Sequence, residues 1–149
     1  MKTMLLLLIA VTAMTMDLTA TLKQEEGFSA TMYRDHLGYP TIGYGHRCGS
    51  DQKEITKEQA EKMLSDDVAE AQKGVDNLIG KNAPQEVKDI VTCMVFQMGL
   101  SGVSKFKTML ACISKADYKG ASVAMMNSKW AKQTPKRARR MSLDMAAVK

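Results

Sequence analysis

Apolar residues recur along the chain with different periods, and each change of period marks a structural boundary. Met4 to Val11 is an unbroken apolar run behind the lone charge of Lys2. In Asp17–Glu26, DLTATLKQEE, Leu18 and Leu22 lie four apart on one helical face, and Gly27 ends that helix. From Met32 to about Ile55 the helical period is lost. Tyr, Thr and Ile alternate with Gly, and HLGYP and RCGSD have the composition of turns, so two or three short antiparallel strands are expected. The helical period returns at TKEQ, Thr56–Gln59, a capping-box pattern. It opens a helix to about Ile79 with Met63, Leu64, Val68, Ala71, Val75 and Leu78 as its apolar stripe. GKNAP breaks it, and Pro84 suits the start of the next helix. That helix is expected to reach Met98, burying Val87, Ile90, Val91, Met94, Val95 and Met98, before Gly99 and Gly102 mark a loop. Two or three more helices follow, through FKTMLACIS, YKGASVAMMNSK and PKRARRMSLDMAAV.

This order predicts an α+β protein, mainly α, in which a small antiparallel sheet lobe sits beside a helical lobe and a cleft forms between them. The chain has 149 residues, which suits one domain. We assign it to residues 16–149 and set residues 1–15 apart. One cation, a short apolar run and then Val11-Thr12-Ala13 is the layout of a secretory signal peptide. The run is shorter than the roughly 20 residues a stable span needs. Secretion is the expectation, with export to a bacterial periplasm through an uncleaved signal-anchor as the alternative.

Composition adds three points. Thirteen Met against 5% aromatic residues predicts a core filled by flexible thioethers. The net charge of +5 is uneven: Lys129, Lys132, Lys136, Arg137, Arg139, Arg140 and Lys149 share the C-terminal stretch with one acid, Asp144. That stretch is either a solvated helix surface or a basic face for an anionic partner such as nucleic acid, phospholipid or a cell-wall polymer. Cys48, Cys93 and Cys112 are odd in number and show no CxxC spacing, so neither a disulfide framework nor a zinc site is expected. Cys93 and Cys112 fall in apolar helical patterns and are expected to be buried; a single bridge remains open for an exported chain.

The candidate chemistry lies in LKQEEGF and YRDHLGYPTIGYGH. Glu26 ends a helix and Asp35 lies in a turn of the sheet. With a reversal at Gly27 both could face one cleft, an arrangement that suits acid–base hydrolysis, above all of a glycosidic bond. One carboxyl would have to stay protonated and the other ionised. Spacing alone is weak evidence, because a chain with 16 acids holds such a pair by chance. Gly43 and Gly45, two apart in an expected strand, would bare one face to a neighbouring chain or ligand. Thr41 would share that face and could hold a water against Asp35, while His46 is expected to be structural. No GxxxxGK[ST] phosphate loop and no GxSxG elbow occurs. With only His36 and His46 available, no metal is expected.

Taken together, these residues resemble the phage-type lysozymes, the T-even phage enzyme and its relatives. The family pattern is Glu, eight residues, Asp, five residues, Thr, met here by Glu26, Asp35 and Thr41. MVFQMG at Met94–Gly99, followed by Gly102-Val103 and Phe106, resembles a second family block, and W..QTP.RA.R from Trp130 to Arg140 a third. The blocks stand in family order and frame residues 17–141. The resemblance implies a two-lobed lysozyme fold and a muramidase that cuts the β-1,4 bond between N-acetylmuramic acid and N-acetylglucosamine of peptidoglycan, with inversion and without a cofactor. Glu26 would be the general acid, and Asp35 and Thr41 would position and activate water. Arg137 would pair with the catalytic acid, Phe96 and Gln97 would lie beside the cleft, and Asp67 would pair with His46. Peptidoglycan is the implied partner, with anionic cell-wall polymers a further candidate for the basic segment, no nucleic acid, and a monomer as the working state. The competing reading is a peptidoglycan-binding homologue without catalysis. The segment between His46 and ITKEQ is shorter than in the T-even enzyme, and Arg47, Met109 and Ala124 stand where that enzyme has other sugar-contacting residues.

Overall fold

The computed structural model describes residues 16–149; the leader assigned to residues 1–15 lies outside the described residues. Helix α1, Leu18–Glu26, is capped by the Asp17 carboxylate, which accepts from Ala20 N–H, and closes on Gly27 at φ +68°. Only a residue without Cβ takes that conformation cheaply, and the reversal it makes turns the chain directly into the sheet. Strands β1 (Ser29–Arg34), β2 (Pro40–Gly43) and β3 (His46–Arg47) follow in antiparallel order β1-β2-β3. β1 begins three residues before the Met32 expected from composition. Ser29 pairs with Gly43, and the register shifts between Ser29 and Tyr33, so the irregularity hides the period-two pattern at the strand's start.

Helix α2, Lys57–Ile79, carries the anticipated capping box: Gln59 N–H donates to Thr56 Oγ1, and Thr56 N–H donates to the Gln59 side chain. It packs on the sheet at one end and on α3 along its length, and so joins the two lobes. Ala60, Leu64 and Val75 are fully buried on it, whereas Met63, Val68 and Leu78 pack at the core's edge. The remaining elements are α3 (Gln85–Ser104), α4 (Lys107–Ser114), α5 (Tyr118–Met126), α6 (Lys129–Gln133) and α7 (Pro135–Ala146). The loop expected at Gly99 and Gly102 is instead a kink: only Gly99 leaves helical geometry (φ 76°, ψ 161°), and the helix resumes to Ser104.

One apolar core runs through both lobes. Met94, Met109, Met125, Met141 and Met145 are essentially inaccessible in it, as the Met-rich composition predicted. Thiols are free at all three cysteines; Cys93 is buried, but Cys112 is only partly so. Among the described residues no helix is long and apolar enough to cross a membrane.

Candidate functional site

Glu26 and Asp35 reach one cleft by different routes. Glu26 is the last residue of α1, which packs against α3 in the helical lobe. Its carboxylate reaches across to the sheet, where Gly45 receives it: a Cβ on Gly45 would stand 2.7 Å from Glu26 Oε2. The glycine therefore provides room for the acid itself, and at φ +74° it also adopts a backbone that a side chain would strain. Asp35 occupies the β1–β2 turn. Its Oδ1 accepts the N–H groups of Leu37 and Tyr39, each at 2.9 Å, while its own N–H donates to Tyr39 O. The aspartate thus builds the turn that holds it, and Oδ2 takes no part in that wrapping.

Together with Thr41, Arg137, Phe96 and Gln97 these acids line a cavity of about 430 Å3 that also includes Tyr33, His36, Arg47 and Thr134. A second cavity of about 530 Å3 adjoins it, sharing Leu37, Gly45, Arg47, Phe96 and Gln97, and runs on between α2 and α3. All six residues singled out from the sequence therefore meet at one site. Thr41 is 3% exposed and spends its hydroxyl proton on Tyr39 O at 2.9 Å, so toward the cavity its oxygen can only accept.

Two expectations need correction. Arg137 does not pair with Glu26. Its Nε lies 3.6 Å from Glu25 Oε2, and Arg140 bonds the other oxygen of the same carboxylate. Successive helical residues point about 100° apart, so Glu25 turns toward α7 while Glu26 turns to the sheet. The C-terminal cations are consequently not all a solvated face, since two of them satisfy a side chain that is only 8% exposed. Glu25 escaped the sequence reading, although Arg137 and Arg140, three apart on one helix face, were a sign that an acid was needed opposite. The second correction concerns the glycines. Tyr44 and Gly45 form the β2–β3 turn, so the strand alternation ends at Gly43. Gly43 packs on Ala60 and Ile55 of the core, whereas Gly45 faces Glu26. Gln97 lines the cleft as expected, with its amide engaged: Oε1 accepts Trp130 Nε1–H at 2.8 Å, and Nε2 lies 3.5 Å from Thr134 Oγ1. It ties α3 to α6. His46 is structural as expected, with Nδ1 2.8 Å from Asp67 Oδ2.

The electrostatics separate the two acids. Burial pushes the Glu26 pKa above the usual carboxylate range; the positive charge of Arg137 opposes this, Glu25 reinforces it and His36 opposes it. Asp35 goes the other way. The hydrogen bond from Tyr39 N–H holds its pKa below the usual range, with partial burial opposing and Leu37 N–H, Arg47 and His36 assisting. Burial raises the Cys93 thiol to about 12, which leaves it inert at neutral pH. No group of His, Cys, Asp and Glu among the described residues could hold a metal ion.

A family model described as phage lysozyme matches residues 23–142. The chain belongs to the phage lysozyme family. It is 31% identical to probable T4-type lysozyme 2 of Dictyostelium discoideum over 80% of this chain and 88% of that one. It is 32% identical to an endolysin of Acyrthosiphon pisum secondary endosymbiont phage 1, over 74% of this chain and 75% of that one. An endolysin of Salmonella phage P22 is 28% identical, over 76% of this chain and 82% of that one. Family membership carries the coarse reading, a peptidoglycan-lytic lysozyme, and the residues that carry the resemblance in the sequence, from Glu26 to Arg140, all fall within the matched span.

Proposed function

We propose that the protein is a muramidase that hydrolyses the β-1,4 bond between N-acetylmuramic acid and N-acetylglucosamine by an inverting acid–base mechanism. The observation that carries this reading is that Glu26 and Asp35 line one cavity in unlike settings, Glu26 buried against Gly45 and Asp35 wrapped by backbone N–H groups, which shift their pKa values in opposite directions. Glu26, whose hold on its proton is strengthened by burial, donates to the glycosidic oxygen as the bond breaks. Asp35, kept ionised, accepts one water proton through Oδ2, and Thr41 Oγ1 accepts the other. The water's lone pair is then left for the anomeric carbon on the face opposite the leaving group, which inverts the centre. Asp35 takes up the proton released, and exchange with solvent restores both acids. Export, directed by residues 1–15, is part of this proposal, because the substrate lies outside the bacterial cytoplasm.

The test is clearing of a peptidoglycan suspension by residues 16–149 beside the Glu26→Gln variant, with analysis of the ends produced. The reading requires new reducing ends on N-acetylmuramic acid, released as the inverted anomer, and a rate at least about 10³-fold lower in the variant. Reducing ends on N-acetylglucosamine, or a retained anomer, would contradict the bond or the mechanism. Binding of both proteins without clearing would favour the non-catalytic homologue.

A further inference from the structure

Arg47 stands where the two cavities meet and lines both. Its guanidinium carbon lies 3.9 Å from the centre of the Tyr39 ring. The sheet explains the contact. Arg47 pairs with Thr41 across β2–β3, and Tyr39, two residues before Thr41, is the diagonal neighbour on the same face. Tyr39 is itself fixed, since both its N–H and its carbonyl bond Asp35. The ring holds the guanidinium by its face, and the Arg47 N–H groups form no ion pair among the described residues. Arg47 and Arg137 are the lining Arg or Lys residues of the two cavities, and Arg137 is engaged by Glu25. Among the described residues Arg47 has no ion-pair partner. An exposed, pre-oriented cation in a substrate cleft is a fork for a planar anion. The α2 side of the larger cavity carries Glu70 and Asp67, which disfavour an anion there and leave the junction as the favourable place for one.

We propose that Arg47 is a specificity-determining residue that binds a carboxylate carried by the glycan strand as it lies across the two cavities. This rests on peptidoglycan being the substrate. The carboxylate is one of the stem peptide, since the lactyl carboxyl of muramic acid is occupied by the amide bond that carries that peptide.

The experiment compares wild type and Arg47→Gln on native sacculi and on sacculi whose carboxylates have been converted to amides with carbodiimide and ammonia. Lys119→Gln, an exposed charge on α5 outside both cavities, controls for net charge. The expected result is a loss of roughly ten- to a hundredfold in kcat/KM for Arg47→Gln on native sacculi, the range of one charge-assisted hydrogen bond. Wild type should lose a similar factor on amidated sacculi, and the variant should lose little more there. An equal loss by the variant on both substrates would overturn the inference, since Arg47 would then act only through its field on Asp35. No loss on native sacculi, or a loss matched by Lys119→Gln, would overturn it as well. Glycan strands stripped of peptide by an amidase, with the lactyl carboxyl that the cut exposes converted to an amide, should show no Arg47 effect, and a persisting effect would overturn the assignment to the stem peptide. Pelleting of the same proteins with native and amidated sacculi reads Arg47 without turnover. Absence of hydrolysis by wild type would therefore count against the muramidase reading while the binding comparison still decides this one.

Discussion

The end of α1 and the β1–β2 turn each present a carboxyl group to the same cavity, yet they treat it in opposite ways. Glu26 comes from a helix packed in the helical lobe, with an anionic neighbour in Glu25, and its charge is disfavoured by burial. Asp35 comes from an open turn whose backbone N–H groups close on it, and its charge is favoured. In the proposed mechanism the same functional group thus becomes acid or base according to how many donors and how much water surround it. The turn needs no helix to do this, because its donors are two and four residues away in sequence. The helix end needs the whole fold, since Gly45, Arg137 and Glu25 must all be in place around Glu26.

Substitutions at these two places should differ in the sign of their stability effect. A raised pKa in the folded state contributes stability below the ordinary carboxylate range, and that contribution is lost as pH rises through the raised value. Glu26→Gln should therefore abolish hydrolysis and raise Tm at neutral pH, as scanning calorimetry can show; a lowered Tm would mean that the buried charge is better compensated than its surroundings indicate. A depressed pKa contributes stability above the ordinary range, lost as pH falls through the depressed value. Asp35→Asn should accordingly lower Tm at neutral pH while reducing kcat by roughly 10²- to 10⁴-fold. The wild-type pH–rate profile should be bell-shaped, with an acid limb below and an alkaline limb above the usual carboxylate range; two limbs within that range would erase the contrast between the acids.

Gly45→Ala puts a methyl group 2.7 Å from Glu26 Oε2 and should cost about ten- to a hundredfold in kcat by moving the acid, with a smaller change in KM. Thr41→Ala should fall by about tenfold, while Thr41→Ser, which keeps the hydroxyl, should stay near wild type in rate and lose about 1 kcal/mol of stability for the buried methyl. Equal rates in the two variants would remove the water-holding role. The smallest effect on rate is expected from Glu25→Gln. Removing that anion also frees Arg137 toward Glu26, so both changes lower the acid's pKa and shift the alkaline limb to lower pH. Stability should fall by on the order of 1 kcal/mol, because two arginines lose the carboxylate they share but Arg140, 54% exposed, is left solvated.

Much of this was legible in the sequence because the signals are local. The capping box at Thr56–Gln59, the helix stop at Gly27 and the Asx-type turn at Asp35 are made by residues within a few positions of one another. The motif of Glu26, Asp35 and Thr41 was visible too, and the six residues it and its companion blocks named do line one cavity. The partners of those residues were harder to see. Glu25 and Glu26 are indistinguishable in composition, and a rotation of about 100° between them decides that one anchors α7 and the other faces the sheet. Gly43 and Gly45 share a pattern, and a two-residue turn sends one to the core and the other to the acid. Gln97 and Arg137 look like free polar side chains until Trp130 and Glu25, far away in sequence, are found to hold them.

Because propensity, capping and turn chemistry act over a few residues, the sequence by itself determined the elements, their order and much of the core, though Val95 and Met98, expected to be buried, are only partly so. Only the tertiary structure decided which acid is buried, which arginines are already engaged and that Arg47, at the junction of the two cavities, has no ion-pair partner among the described residues. Those properties depend on distances and on exclusion of water between segments as far apart as Glu25 and Arg140, and no local pattern encodes them.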